Sequence, residues 1–320
     1  MKNLVVLGSA NIDKVLTLKS LPKPGQTLVA NSYSKSFGGK GANQATAAAR
    51  SGAKTSFIAC LGLDGEDFYK QLQSEGMDLS HLARHECPSG FAHICVSEDG
   101  ENCIAIFPGA NARLSEAQVE GARALIEGSG ALLMQLETPR ASAFKAAQIA
   151  KNAGVLVALN PAPAKRLEQE FLALIDLITP NESELESLTG LAAASDESLK
   201  AAAKALHDLG PKIVLVTLGA RGVFLSCKDE QKAQVLPSYK VLAIDTIGAG
   251  DAFNGAFLGE ILRLMEAKGA KSNAALSFEL LKEAASFAQA ASALAVSKRG
   301  AIDALPNRAE IEDFLRAQGL

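Results

Sequence analysis

Ala131-Leu132-Leu133-Met134 is followed, after a polar break, by an Ala-rich stretch of helical period at 141–152 and then by Val155-Leu156-Val157-Ala158-Leu159. This reads as strand, crossover helix and strand. The same rhythm extends in both directions. Candidate strands at Leu4–Leu7, 55–60, 174–178 and Ile213–Thr217 alternate with candidate helices at 42–51, 66–75, 115–127, 181–188, 197–209 and 251–267, with a further Ala-rich helix at Phe278–Val296. Short apolar strands joined by crossover helices predict an α/β fold, a doubly wound, mostly parallel sheet flanked by helices.

Two stretches break the rhythm. Residues 14–37 and 90–107 read as extended segments without helices, the second a hairpin about Asp99-Gly100, a type I′ turn signal, and Pro24-Gly25 marks another tight turn. Insertions of this kind must meet in space, and a sheet of about four strands buries too little on one face to stand alone. The expected organisation is a main domain of 1–13, 38–89 and 108–320 with a small β-sheet lid of 14–37 and 90–107 over the active site. The lid's exposed face, with Val29, Ile94 and Val96, is the expected dimer contact.

The 320 residues are 48% apolar and 21% charged with net charge -3, a soluble globular composition slightly too large for a single compact core. Thirty-two Lys and Arg against 35 Asp and Glu leave no electrostatic footprint for a nucleic acid. No window approaches the roughly 18 unbroken apolar residues of a membrane span, and the run at Leu4–Leu7 is too short for a secretory segment, so a cytoplasmic protein is expected. The five cysteines (Cys60, Cys87, Cys95, Cys103, Cys227) form no C-x-x-C pair, and His81, His85, His93 and His207 do not cluster. The expectation is buried free thiols and no transition-metal site.

Chemistry concentrates in Asp245-Thr246-Ile247-Gly248-Ala249-Gly250-Asp251, ahead of the apolar helical pattern Ala252, Phe253, Ala256, Phe257. Glycines at a helix entry let unpaired backbone N–H groups converge where an anion is stabilised. Asp251 is then either a plain N-cap beside a tight turn, or a base taking a proton from a hydroxyl that attacks the anion, as in phosphoryl transfer to an alcohol. A second cluster, Phe37-Gly38-Gly39-Lys40-Gly41-Ala42-Asn43-Gln44, is a strand-to-helix turn or a loop that approaches a polyhydroxylated ligand; its spacing is not that of a Walker A loop. Thr217-Leu218-Gly219-Ala220-Arg221-Gly222 follows a strand, where open α/β sheets bind ligands. Asn181 with Glu184 fits a helix capping box, and Asn11 with Asp13 fits ordinary turn chemistry. No G-x-G-x-x-G occurs, which argues against a nicotinamide dehydrogenase.

In this order the segments resemble the ribokinase-like family of small-molecule kinases. The resemblance covers nearly the whole chain, through Val5-Val6-Leu7-Gly8-Ser9, Pro24-Gly25, residues 39–43, Met134-Gln135-Leu136-Glu137, Asn160-Pro161-Ala162-Pro163 and 245–251. The Gly-Ala-Gly-Asp element is specific to the family, and Asn11-x-Asp13 with Gly39-Lys40-Gly41-Ala42-Asn43 points to its ribokinase branch rather than to adenosine or fructose kinases. The resemblance implies ATP-dependent phosphorylation of D-ribose at its 5-hydroxyl, with deoxyribose or another pentose as the nearest alternative and a non-catalytic sugar binder disfavoured by the presence of Asp251.

It further implies that Asn11, Asp13, Gly39, Lys40, Gly41, Asn43 and Glu137 hold the sugar, that Asp251 is the base, and that Gly248, Ala249 and Gly250 form the anion hole. Asn181 and Glu184 match the element near the phosphates and Mg²⁺. Thr217, Gly219, Ala220, Arg221 and Gly222 match the nucleotide loop, and Gln289 stands where relatives often have His or Asn beside the adenine. A K⁺ site would use Asp245 and the carbonyls of Ile247, Ala295, Lys298 and Gly300, with Ala304 standing where the family pattern has Ser. Members of this branch pair their lids as homodimers.

Overall fold

The computed structural model describes residues 2–269 and 276–319. Its strands are β1 (Leu4–Leu7), β2 (Asn11–Leu18), β3 (Ser32–Gly38), β4 (Thr55–Gly62), β5 (Leu82–His85), β6 (Gly90–Ser97), β7 (Asn102–Phe107), β8 (Ala131–Met134), β9 (Leu156–Leu159), β10 (Leu177–Ile178), β11 (Ile213–Thr217), β12 (Val223–Cys227) and β13 (Lys232–Leu236). The α-helices among the described residues are α1 (Lys40–Arg50), α2 (Glu66–Ser74), α3 (Glu116–Gly121), α4 (Arg123–Glu127), α5 (Arg140–Asn152), α6 (Gln169–Leu172), α7 (Glu182–Thr189), α8 (Asp196–Leu209), α9 (Ala249–Ala267), α10 (Phe278–Val296) and α11 (Arg308–Ala317). None is long and apolar enough to cross a membrane.

Nine strands form the main sheet in the order β13-β12-β11-β10-β9-β8-β1-β4-β5, parallel except for the antiparallel edge made by β12 and β13. Helices cover both faces. Along β1, Leu4 and Val6 pack into one core with Phe257 of α9 and Ala288 of α10, while Val5 and Leu7 pack into another with Ala146 of α5 and Leu206 of α8. Burial on both faces is why β1 and β8 are continuously apolar rather than alternating. From β1 the chain proceeds to β4 on one side and later returns through β8 on the other. That reversal is a topological switch point, and the crevice beyond its strand ends is where an open α/β sheet takes a ligand.

The second sheet runs β3-β2-β6-β7. It begins at Asn11, earlier than the expected 14, because β2 follows β1 after only three residues, Gly8, Ser9 and Ala10. Register puts Asp13, Ala92 and Ile106 on one face, continued by Val15, Ile94 and Ile104. Val29, expected on that face, lies instead in the connection between β2 and β3 and is 91% exposed.

Other expectations change on physical grounds. The Asp99-Gly100 hairpin is not type I′: four residues join β6 to β7, and of the central pair only Gly100 has positive φ, at +86°, whereas type I′ needs it at both. Pro24-Gly25 is a tight turn, closed by the Gln26 N–H on Lys23 O with Gly25 at φ +79°. The helix expected at 115–127 breaks into α3 and α4 about Gly121 and Ala122. The strand expected from 174 shortens to β10, because Leu174 and Ile175 donate their N–H groups back to the Phe171 and Leu172 carbonyls at the end of α6. Of the thiols, Cys60 and Cys227 are buried, Cys87 and Cys95 half-buried, and Cys103 exposed, so burial does not describe them all. Strands β5, β12 and β13 and helices α6 and α11 carried no sequence expectation.

Candidate active site

Two helix entries converge on one carboxylate. Helix α1 starts after Gly39, whose φ of +91° turns the chain out of β3; a Cβ there would lie 2.8 Å from the Asn11 nitrogen. Helix α9 starts after Gly248, at φ +76°. The two helices approach closely because Gly255 has no side chain: a Cβ there would fall 2.3 Å from Gln44 O. This brings Asp251, in the first turn of α9, against α1, where Oδ2 accepts from Asn43 Nδ2 and Oδ1 from Gln44 Nε2, both at 2.8 Å. Asp251 is buried, and desolvation drives its carboxyl above the usual carboxylate range. The Lys40 charge and the two amides oppose that rise, and Glu137 adds to it.

Gln44 belongs to a buried amide relay that sequence reasoning did not assign. Gln135 Nε2 donates to Gln44 Oε1 at 2.6 Å, Gln44 Nε2 also donates to Asn160 Oδ1 at 3.0 Å, and Asn160 Nδ2 donates to Thr179 O at 3.0 Å. The relay ties the ends of β8 and β9, and the residue following β10, to the Asp251 carboxylate. Both glutamines and Asn160 sit inside stretches quoted above, but partners 91 and 207 residues apart leave no local spacing to reveal them.

Beside Asp251 lies a polar crevice under the small sheet. Asp13 is half-buried on β2; its pKa is raised to about 6 by burial first and by the Glu137 charge second, against a hydrogen bond from the Ala92 backbone. Bare backbone at Gly38 lets Asp13 and Asn43 share this space, since a Cβ there would sit 2.5 Å from Asp13 Oδ2 and 4.0 Å from Asn43 Oδ1. Asn43 Oδ1 is buried without a protein partner, an acceptor ready for a hydroxyl. Glu137 Oε2 accepts from Ser9 Oγ at 2.5 Å and from the Lys40 N–H at 3.1 Å. The Gly41 N–H is turned inward to Ser9 Oγ at 3.3 Å, and its Cα packs on Gly8, so this glycine permits close approach between β1 and α1. Asn11 is buried, and its Oδ1 accepts from Asn111 Nδ2 at 2.7 Å.

On the other side of α9's first turn two cavities adjoin. The smaller, about 260 Å³, is polar and is lined by Lys40, Asn181, Glu184 and Asp251 with Gly248, Ala249 and Gly250. The larger, about 490 Å³, is mostly apolar, with Thr217, Gly219, Ala220, Gly222 and Gln289 in its wall. Both share Thr217, Thr246, Ala249 and Gly250. A wide apolar slot opening into a polar one at a helix N-terminus suits a base and sugar joined to phosphates. Gln289 keeps a buried Oε1 without a protein partner. The capping box is present, the Asn181 N–H bonding Glu184 Oε2 at 2.9 Å, yet Glu184 also faces the polar cavity, and burial raises its pKa. Arg221 is exposed and paired with Glu182, Nη2 to Oε1 at 2.6 Å.

Residues 1–308 match the model of the pfkB family of carbohydrate kinases. The chain is a member of that family. It is 46% identical over 317 residues to the ribokinase of Haemophilus influenzae, covering 98% of each chain. It is 39% identical to the ribokinase of Staphylococcus aureus, over 96% of this chain and 98% of that one. The structure of Arabidopsis thaliana ribokinase complexed with ribose and ATP superimposes with a TM-score of 0.87 at 32% identity, covering 98% of this chain and 99% of the other.

In this kinase the turn before α9 is tied to the loop after α10. Asp245 Oδ1 accepts the Ile247 N–H and Oδ2 the Gly300 N–H, both at 3.0 Å. The Ala295 carbonyl accepts the Lys298 N–H at 3.1 Å, and the Ala304 side chain is a buried methyl. Among the described residues no three His, Cys, Asp or Glu side chains gather as a metal cluster.

Proposed function

We propose that this kinase transfers the γ-phosphoryl group of ATP to the 5-hydroxyl of D-ribose, giving ribose 5-phosphate and ADP. The observation that carries the reading is the buried Asp251 carboxylate, held by two amides between the polar crevice and the N-terminus of α9. Asn11, Asp13, Asn43 and Glu137, with Gly39 and Lys40, hold the sugar so that its 5-hydroxyl meets Asp251. As the hydroxyl oxygen attacks the γ-phosphorus, Asp251 takes its proton, and the raised pKa of a buried carboxyl brings the base closer to working pH. Charge on the transferring group is met by the backbone N–H groups of Gly248, Ala249 and Gly250 at the entry to α9, which line the polar cavity, and by Lys40. ADP remains in the apolar cavity between the 219–222 loop and Gln289. The small sheet is a lid that keeps water from the crevice.

The residues fit two cations. A divalent ion is best served by Glu184 and Asn181 in the polar cavity; bound Mg²⁺ supplies neutralisation of the phosphate charge. A monovalent ion such as K⁺ suits the carbonyls of Ile247, Ala295, Lys298 and Gly300 beside Asp245, which already draws both loops together. An enzyme that consumes ATP fits the cytoplasm.

The test is an ATP-consumption assay over pentoses, hexoses and nucleosides, with the phosphorylated position read by NMR. Ribose is expected to give the highest kcat/KM, with phosphate on O5. Asp251→Asn keeps the shape but cannot accept a proton, and kcat should fall at least ~10²-fold. Turnover within a few-fold of the parent would reject Asp251 as the base.

A further inference from the structure

We infer that Asn111 is a positioning residue that fixes which end of the Asn11 amide meets the sugar. The inference rests on the reading of Asn11 as a sugar contact.

An amide side chain offers an oxygen and an NH₂ of nearly equal size, and only its partners decide which end points where. Here a backbone donor settles the order. The Ala10 N–H can only donate, and it donates to Asn111 Oδ1 at 2.9 Å. The other end of Asn111 is therefore its NH₂, which donates to Asn11 at 2.7 Å, so the Asn11 atom facing it is Oδ1. Asn11 is left with its NH₂ for the crevice. Asn111 is 2% exposed, so water does not compete for these bonds. The pair also needs bare backbone beside it: a Cβ on Gly90 would lie 2.1 Å from Asn111 Nδ2 and 2.5 Å from Asn11 Oδ1.

The orientation matters because of Asp13, two residues along the same face of β2. An ionised carboxylate only accepts, whereas a sugar hydroxyl has one proton to give and lone pairs to receive. A donor at Asn11 beside an acceptor at Asp13 serves neighbouring hydroxyls of a polyol; two acceptors would compete for their protons. Asn111 lies just past β7, where the chain returns from the lid, so the lid's base and this contact are joined.

The experiment compares kcat/KM for ribose and 2-deoxyribose in the parent, Asn11→Ala, Asn111→Asp and the double variant. Asn111→Asp keeps an oxygen for the Ala10 N–H but turns a second oxygen toward Asn11, which reverses the Asn11 amide. The ribose to 2-deoxyribose ratio is expected to fall at least ~5-fold in each single variant. KM for ATP should stay within about two-fold, and the double variant should discriminate no less than Asn11→Ala alone. Gly90→Ala, which forces the pair apart without altering either amide, should lower the ratio in the same direction and stands in if Asn111→Asp does not fold. If Asn11→Ala lowers the ratio while Asn111→Asp and Gly90→Ala depress both sugars equally, Asn111 is merely structural and the positioning role is overturned. An unchanged ratio in Asn11→Ala removes the sugar contact and, with it, this inference.

Discussion

Asp13 bears two opposed demands at one atom group. Burial and the Glu137 charge push its carboxyl up to about 6 in the folded chain from an ordinary value of 3.8, so between those values the folded state holds the proton more tightly than the unfolded one. Stability is therefore greater below about pH 4 and declines as pH rises through about 6, the reverse of the usual salt-bridged carboxylate. Asp13→Asn should raise unfolding free energy by about 1–3 kcal/mol near pH 8 and by almost nothing near pH 4, read by urea titration at both. The same variant should lose most of its affinity for sugar, because the ionised form is the acceptor. In the parent enzyme KM for sugar should climb as pH drops below about 6 while KM for ATP stays level. A flat sugar KM over that range would mean that Asp13 does not titrate in the crevice.

At the level of elements, the site depends on how closely α1 and α9 pack. Gly255 faces Gln44 O, Ala47 and Ala48 of α1, with a built Cβ at 2.3, 2.6 and 2.8 Å from their nearest atoms. Gly255→Ala should cost about 1–3 kcal/mol by overpacking and should lower kcat more than it raises KM, since it displaces α9 and hence Asp251. Gly250→Ala, with open space around its Cβ, is the stability control. The turn before α9 is the second adjustable element. KCl should raise activity and melting temperature above the values in NaCl at equal ionic strength, by ordering residues 245–250. Ala304→Ser should lower the K⁺ concentration needed for half of that effect, because it restores a hydroxyl ligand at a buried methyl. Equal melting temperatures in both salts would remove the monovalent site.

Across the whole molecule, the small sheet is where aliphatic side chains stay exposed on one face. Ile104 and Ile106 are 52% and 67% exposed, on the face that carries Asp13, Val15 and Ile94. Aliphatic side chains gathered on one side of a sheet are better buried than solvated, which supports a homodimer formed through the lids. Light scattering at micromolar concentration should give a dimer, and Ile106→Lys should shift it toward monomer. A monomeric parent protein would count against the interface.

The alternation of short apolar runs with Ala-rich helices was legible along the chain because two-sided burial removes polar residues from the central strands, as in Val5 and Val6, which enter opposite cores. The glycine turn before Asp251 was equally legible, since backbone geometry at a helix entry is a local property. The hairpin of β12 and β13 was not: β13, at the sheet edge, is mostly exposed and carries polar residues, and β12, although apolar and buried, is joined to its neighbours by no crossover helix that would set it apart. The site divides in the same way. Asp251, Asn43 and Glu137 sit in motifs that can be read in sequence, whereas Gln44, Gln135 and Asn111 acquire their roles only from partners brought close by the fold. A residue's intrinsic chemistry and its local backbone belong to the sequence. Which buried amide donates, which carboxyl is desolvated and which sheet face lacks a cover depend on contacts between distant segments, and those the tertiary structure decided.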